Sequence, residues 1–351
     1  MNTRLSSLDY LRGFSALGIM VYHYMFWLNG AFTSDQFMGR VGVYGVAVFY
    51  VLSGLTLFHV YEQTTAGANF SISHFFKKRI YRIFPLLWLV TLSSIVLSRK
   101  LPNLVDVLLN LTGLFGFLRW DVYFSTGVWS IGNELVFYSI FPLIMYVTRR
   151  SPSLLFTLLL LSAFTHHFFA FQTINTDTSL SDQWHSYVNP LNQFFFFLSG
   201  CVLAYLFKKR QFKTVHCMAL IALSLVVFVA YPASGDTVQL ITGTNRWIFS
   251  LASILLCLGF YKATTHLPSA LHRALSLLGE GSYSLYLLHP LVYIVWAFLL
   301  KSLDQLGYTL PFALRLLSPM VVTLVLSYFV YERFEKFFMR LGRQSSPGSP
   351  S

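Results

Sequence analysis

The sequence predicts an all-α, polytopic membrane protein of about ten transmembrane helices with both termini cytoplasmic. Three observations carry that expectation. Of 351 residues, 55% are hydrophobic and 11% charged, against roughly a quarter charged in a soluble domain, and mean hydropathy is +0.60. Apolar runs recur from the start to about residue 331, with no long polar block in which a second domain could sit. The basic residues gather in short clusters between those runs, the pattern of cytoplasmic loops. We therefore expect one integral domain over 1–340 and a short disordered tail, 341–351, ending QSSPGSPS.

A spanning helix needs roughly 20 mostly apolar residues. The first run, 8–28, holds Asp9, Arg12 and His23. These interruptions, and the lack of a clean small-x-small site after them, favour a retained helix over a cleaved leader. The second run is 41–61. Segment 67–78, GANFSISHFFKK, has the aromatic and lysine content of a short interfacial helix leading into the third run, 80–98. A weaker run at 104–118 follows Pro102 and contains Asp106, Asn110, Gly113 and Gly116. The remaining candidates are 127–147, 153–170, 190–207, 215–231, 247–261, 280–300 and 311–331.

Charge sets the topology. Lys77-Lys78-Arg79 with Arg82, Arg149-Arg150, Lys208-Lys209-Arg210 with Lys213, and Arg333 to Arg343 all belong in the cytoplasm. Two crossings, not three, must separate the first two clusters, so 104–118 is expected to be re-entrant or interfacial. The loop 171–189 then falls outside, as do Arg40 and Arg246.

The net charge of +12 is accounted for by this topology and gives no reason to invoke nucleic acid. Cys201, Cys217 and Cys257 lack metal-ligand spacing and read as packing residues, so no metal site is expected.

Ionisable groups within a bilayer are costly and usually line a cavity. Arg12 and His23 are eleven residues apart, about 16 Å of helical rise and close to the same face. A snorkelling arginine and a hydrogen-bonded core histidine are the plain alternatives. Arg79 and Arg82 share a face at i, i+3. Their paired guanidinium forks suit phosphate, although positive-inside charge alone would also place them there. The stretch GVWSIGNELVFY sets Trp129 and Ser130 beside Glu134, with Ser130 and Glu134 at i, i+4 and Tyr138 a turn further; a structural ion pair is the plain reading of Glu134. In GSYSLYLLHP, Ser282, Tyr286 and His289 share a face, and Pro290 loosens the helix behind them. His289 is otherwise an interhelical hydrogen-bonding residue. Together these groups suggest a phosphate-binding inner rim, a mid-membrane base and a carboxylate nearer the outside.

With those residues in hand, the chain resembles the membrane acyltransferase-3 family of O-acyltransferases over nearly its whole length. The basic-x10-His pattern is similar to Arg12 and His23, R-x-x-R to Arg79 and Arg82, and FFVLSGF to VFYVLSGLTLF around Ser53 and Gly54. W-S-L-x-x-E resembles Trp129 to Glu134, and S-Y-S-x-Y-L-x-H-x-P resembles Ser282 to Pro290, with His289 here followed directly by proline. The C-terminal Y-x-x-x-E-x-P pattern is matched as Tyr328 to Glu332, with Phe334 in place of proline.

The resemblance implies transfer of an acyl group, most often acetyl, from acyl-CoA to a carbohydrate hydroxyl. Acetyl-CoA is then a donor substrate and no cofactor is permanently bound. In that reading Arg12, Arg79 and Arg82 hold the CoA phosphates. His23 acts as general base or relays the acyl group, Glu134 orients His23 or the acceptor, and Asp9, Trp129, Ser130, Ser282, Tyr286 and His289 are further site candidates. The implied setting is a bacterial inner membrane, with lipopolysaccharide, exopolysaccharide or a glycolipid as acceptor and a polysaccharide-assembly machinery or separate periplasmic protein as partner. The competing expectation is a proton-coupled carrier or glycan exporter, which buried Arg, His and Glu also suit. It lacks a visible internal repeat. A scaffold protein would leave the buried charges unexplained.

Overall fold

The computed structural model describes residues 5–63, 71–264 and 267–344. It is 81% helical, and among the described residues no strand occurs, only an isolated bridge between Thr33 and Asp236. In chain order the helices are α1 (Ser6–Asn29), α2 (Phe37–Gln63), α3 (Ile72–Ser98), α4 (Leu104–Thr112), α5 (Phe115–Leu118), α6 (Val128–Arg150), α7 (Pro152–Phe168), α8 (Trp184–Tyr187), α9 (Pro190–Phe207), α10 (Thr214–Ala230), α11 (Gly243–Lys262), α12 (Ser269–Glu280), α13 (Ser282–Gln305), α14 (Phe312–Phe329) and α15 (Lys336–Gln344).

Eight helices among the described residues are long and apolar enough to cross a membrane. They are α2, α3, α6, α7 extended by a π turn to Thr173, a helix from Trp184 through α9, α11, α13, and α14 continued through a π segment to Arg343. The other two expected runs are α1, 24 residues long and interrupted by its polar side chains, and α10, shorter at 17 residues. Large apolar side chains such as Val96, Leu160 and Phe164 are exposed, as a lipid-facing surface requires. Helices α7 and α14 are the least covered of the eight.

The segment 104–118 does not form one long helix. Asn103 caps α4 by accepting the Val105 N–H at 2.8 Å, and Gly113 ends it at φ 76°, a left-handed conformation that glycine adopts without a Cβ penalty. Arg119 pairs with Asp106 across the turn at 2.5 Å, so the chain folds back into α5 and α6. The interfacial helix expected at 67–78 lies partly outside the described residues. From Ile72 onward the chain is already continuous with the third span, capped by Ser71, which accepts the His74 N–H. Helix α15 reaches Gln344, so the start of the expected tail is helical.

Helices α2 and α9 approach each other closely. A Cβ at Gly54 would lie 2.0 Å from the Phe197 carbonyl oxygen, and one at Gly200 would lie 2.0 Å from that of Val51. Reciprocal glycines thus let two backbones touch, the small-residue contact by which helices associate in lipid.

Two arginines expected in outer loops are instead buried. Arg40, at the start of α2, donates to the carbonyls of Ser34 (2.8 Å), Phe228 (3.0 Å) and Tyr231 (2.6 Å). It therefore caps the negative end of α10. Arg246 in α11 bonds Asn192 Oδ1 at 2.7 Å. Carbonyl and amide oxygens hold these guanidinium groups in place, which a count of loop charges cannot foresee.

Candidate active site

A cavity of about 450 Å³ opens among α1, α2, α3, α6, the α12–α13 corner and α15. It gathers Asp9, Arg12, Arg79, Arg82, Ser130, Glu134, Ser282 and Tyr286 from the sequence-predicted set. Helical spacing places them there: Ser130, Glu134 and Tyr138 line one wall at successive turns of α6, and Ser282 with Tyr286 line another on α13. Tyr50, Ser53 and Thr56 of α2 complete the floor.

The cations in the cavity are held in different ways. Arg12 donates to Thr56 Oγ1 at 2.7 Å and contacts Asp9 Oδ1 at 3.4 Å. Arg82 pairs with Glu335 at 2.9 Å and lies 5.6 Å from the Tyr283 ring centroid. Arg79 lies 5.8 Å from the Tyr138 ring centroid, and its buried Nε has no hydrogen-bond partner among the described residues. Glu134 bonds Tyr138 and Ser53 and feels the charges of Arg12 and Arg79. The Ser53 and Tyr138 hydroxyls meet at 2.8 Å. Arg343 of α15 adds a fourth guanidinium.

His23 and His289 do not line this cavity. They form a pair of their own, His23 Nδ1 to His289 Nε2 at 2.9 Å. The His23 ring lies near-parallel to those of His289 (5.0 Å) and Trp27 (5.2 Å), and these two are 6.2 Å from one another, so the three rings form a cluster. The Tyr24 hydroxyl donates to the His289 carbonyl at 2.9 Å and meets Thr323 Oγ1 at 2.6 Å. Tyr286 stands between the two parts. Its hydroxyl is held by Ser130 Oγ at 2.9 Å and the Gly127 carbonyl at 3.1 Å, and its ring lies 5.9 Å from that of His289.

Three sequence-based expectations change. Glu134 was expected to orient His23 or the acceptor; among the described residues no hydrogen bond or ion pair joins it to His23. The carboxylate sits with the arginines rather than beyond the base, because α6 presents it toward α2 and α3. Trp129 packs instead of lining the site, buried against Tyr50, Trp184 and Tyr187. The C-terminal pattern is displaced by three residues. Tyr328 is exposed and Glu332 pairs with Lys336, whereas Tyr331 and Glu335 face the site. Tyr331 donates to Glu280 at 2.7 Å, and buried Glu335 holds Arg82 and accepts from Ser284. Both tyrosine–glutamate pairs have the same spacing, and the π segment Val330–Glu335 decides which one turns inward.

Among the described residues, no group of three or more His, Cys, Asp or Glu side chains is arranged to hold a metal ion. The three cysteines are free and buried.

Comparison with known proteins agrees with this arrangement of motifs. YrhL of Bacillus subtilis (strain 168) is 24% identical over 368 residues, covering 95% of this chain and 54% of that protein. Nodulation protein 10 of Rhizobium leguminosarum bv. viciae is 25% identical over 330 residues, 82% of each chain. The O-acetyltransferase OatA of Staphylococcus aureus (strain NCTC 8325 / PS 47) is 25% identical over 326 residues, 83% of this chain and 51% of that protein. The chain thus spans about half the length of two of these relatives. No solved structure matches it. Residues 5–332, which include the histidine pair and Arg12, Arg79, Arg82 and Glu134 of the cavity, match the acyltransferase domain, and the chain belongs to the acyltransferase-3 family.

Proposed function

We propose that the protein transfers an acyl group, acetyl in the first instance, from acyl-CoA at the cytoplasmic face to a hydroxyl of a carbohydrate on the other side. The observation that carries this reading is the two-part site: an arginine-rich cavity and, behind Tyr286, a histidine pair about 16 Å further along α1 by helical rise. A donor with a phosphate-bearing head and a reactive thioester tail needs these two features in that order. Both OatA, named an O-acetyltransferase, and YrhL, whose name points to peptidoglycan O-acetylation, support a polysaccharide acceptor.

Arg79 and Arg12 bind the donor phosphates through charge-assisted hydrogen bonds, while Arg82 remains tied to Glu335. His23 Nε2 takes the proton of the acceptor hydroxyl as its oxygen attacks the thioester carbonyl. The carbon–oxygen bond forms, the carbon–sulfur bond breaks, and the proton passes to the departing thiolate, giving an ester and free thiol. The setting proposed is a bacterial inner membrane with the arginine cavity open to the cytosol.

Inside-out membrane vesicles given radiolabelled acetyl-CoA and host glycan test the activity. Label is expected in the glycan. Glycan transport with no consumption of acetyl-CoA would replace this reading by the carrier. Within the same assay, Arg79→Ala is expected to raise the apparent KM for acetyl-CoA about tenfold or more with little change in kcat, since a charge-assisted bond contributes about 1.5–3 kcal/mol. An unchanged KM removes Arg79 from donor binding.

A further inference from the structure

A neutral imidazole has one N–H and one lone pair, so a base must have its tautomer fixed by whatever its other nitrogen touches. At His23 that neighbour is His289, and the position of the proton can be traced back along α13. His289 Nδ1 faces the Leu285 carbonyl at 3.3 Å, and the Tyr286 carbonyl lies beside the same imidazole. A carbonyl only accepts, so Nδ1 carries the hydrogen. The next residue explains why the Tyr286 carbonyl is available: in an α-helix its partner would be the N–H of residue 290, and Pro290 has none. With Nδ1 protonated, neutral His289 presents a lone pair at Nε2. Across the 2.9 Å contact His23 Nδ1 must then be the donor, which leaves the lone pair of His23 on Nε2. The Tyr24 hydroxyl, donating to the His289 carbonyl, holds this turn of α13 against α1. His23 itself is half-buried, while His289 is fully buried and does not line the arginine cavity.

We infer that His289 is a positioning residue that holds His23 in its Nδ1–H tautomer with Nε2 bare, and that Pro290 is the backbone device that sets this relay. The inference rests on His23 being the base of the proposed reaction. It assigns to His289 the orienting role that the sequence had suggested for Glu134.

Three replacements separate this role from packing. In His289→Gln the side-chain oxygen reaches the position of Nε2 and can accept from His23. In His289→Asn it stops at the position of Nδ1, and in His289→Leu no acceptor remains. In the vesicle assay with acetyl-CoA and host glycan, His289→Gln is expected to keep kcat within a few-fold of wild type. His289→Leu and His289→Asn are expected to lose roughly 10- to 100-fold in kcat, the usual loss when an orienting partner is removed, at unchanged KM for the donor. Full activity of His289→Leu, or equal kcat for Gln and Asn, overturns the proposal. If none of the variants gives a cooperative melt in detergent, the ¹⁵N shifts of His23 in the wild type decide. A bare Nε2 supports the relay, and a bare Nδ1 overturns it. Transfer surviving in His23→Ala instead defeats the reading of His23 as the base, whatever His289 does.

Discussion

His23→Ala is expected to bind acetyl-CoA with wild-type affinity and to transfer no acyl group above background. The two halves of that result come from the separation within the site. The arginines and Glu134 lie on one side of Tyr286 and the histidine pair on the other, so removing the imidazole leaves in place the groups proposed to bind the donor phosphates. A positioned base contributes about 10²- to 10⁴-fold, and each factor of ten corresponds to about 1.4 kcal/mol of barrier. Single-turnover transfer in vesicles measures the loss, and donor binding to the detergent-solubilised variant checks that the cavity persists. Residual transfer within tenfold of wild type would exclude His23 as the base.

Gly200→Ala is expected to destabilise the helix bundle strongly, although it adds only a methyl group. Its new Cβ would lie 2.0 Å from the Val51 carbonyl oxygen, far inside contact distance, and the obstacle is backbone that cannot rotate away. Overpacking of this kind costs about 1–3 kcal/mol and sometimes more, and Gly54→Ala meets the same wall from α2 against the Phe197 carbonyl. The damage extends to activity, because Tyr50, Ser53 and Thr56 on α2 line the cavity and Thr56 receives Arg12. A lowered melting temperature in detergent together with weaker donor binding is the expected pair of readouts. An unchanged melt would mean that α2 and α9 separate without penalty, contrary to their packing.

That glycine contact also shows how much of the protein was legible in its sequence. The stretch around Ser53 and Gly54 stood out as a motif, but nothing in a single sequence says that Gly54 faces Gly200 almost 150 residues later. Apolar runs and basic clusters located the spans, since length and hydropathy are local properties. The break at 104–118 was readable from the placement of the flanking basic clusters and from Pro102, Asp106, Asn110 and two glycines within a short run. Helix α12 was not foreseen between the runs at 247–261 and 280–300, because its polar, amphipathic sequence has no spanning run of its own. In the site, helical spacing correctly put Ser130 with Glu134 and Ser282 with Tyr286. The same spacing put Arg12 and His23 on one face and concealed that, eleven residues apart, they meet different neighbours: Thr56 of α2 and His289 of α13. Glu335 was missed because its signal, a tyrosine four residues earlier, occurs twice in YFVYERFE. Only burial distinguishes the copies.

The position of Tyr286 bears on the energetics of the cell as much as on chemistry. A chain of polar groups running from one face of a membrane toward the other is a route for ions and water, and an enzyme working across a charged membrane would drain the gradient that powers its host if that route stood open. Tyr286 interrupts it with a ring packed against Phe49 and a hydroxyl already engaged by Ser130 and the Gly127 carbonyl. In the reading proposed above, the residue that separates the arginine cavity from the histidine pair would then also serve as electrical insulation, letting an acyl group cross without discharging the proton-motive force.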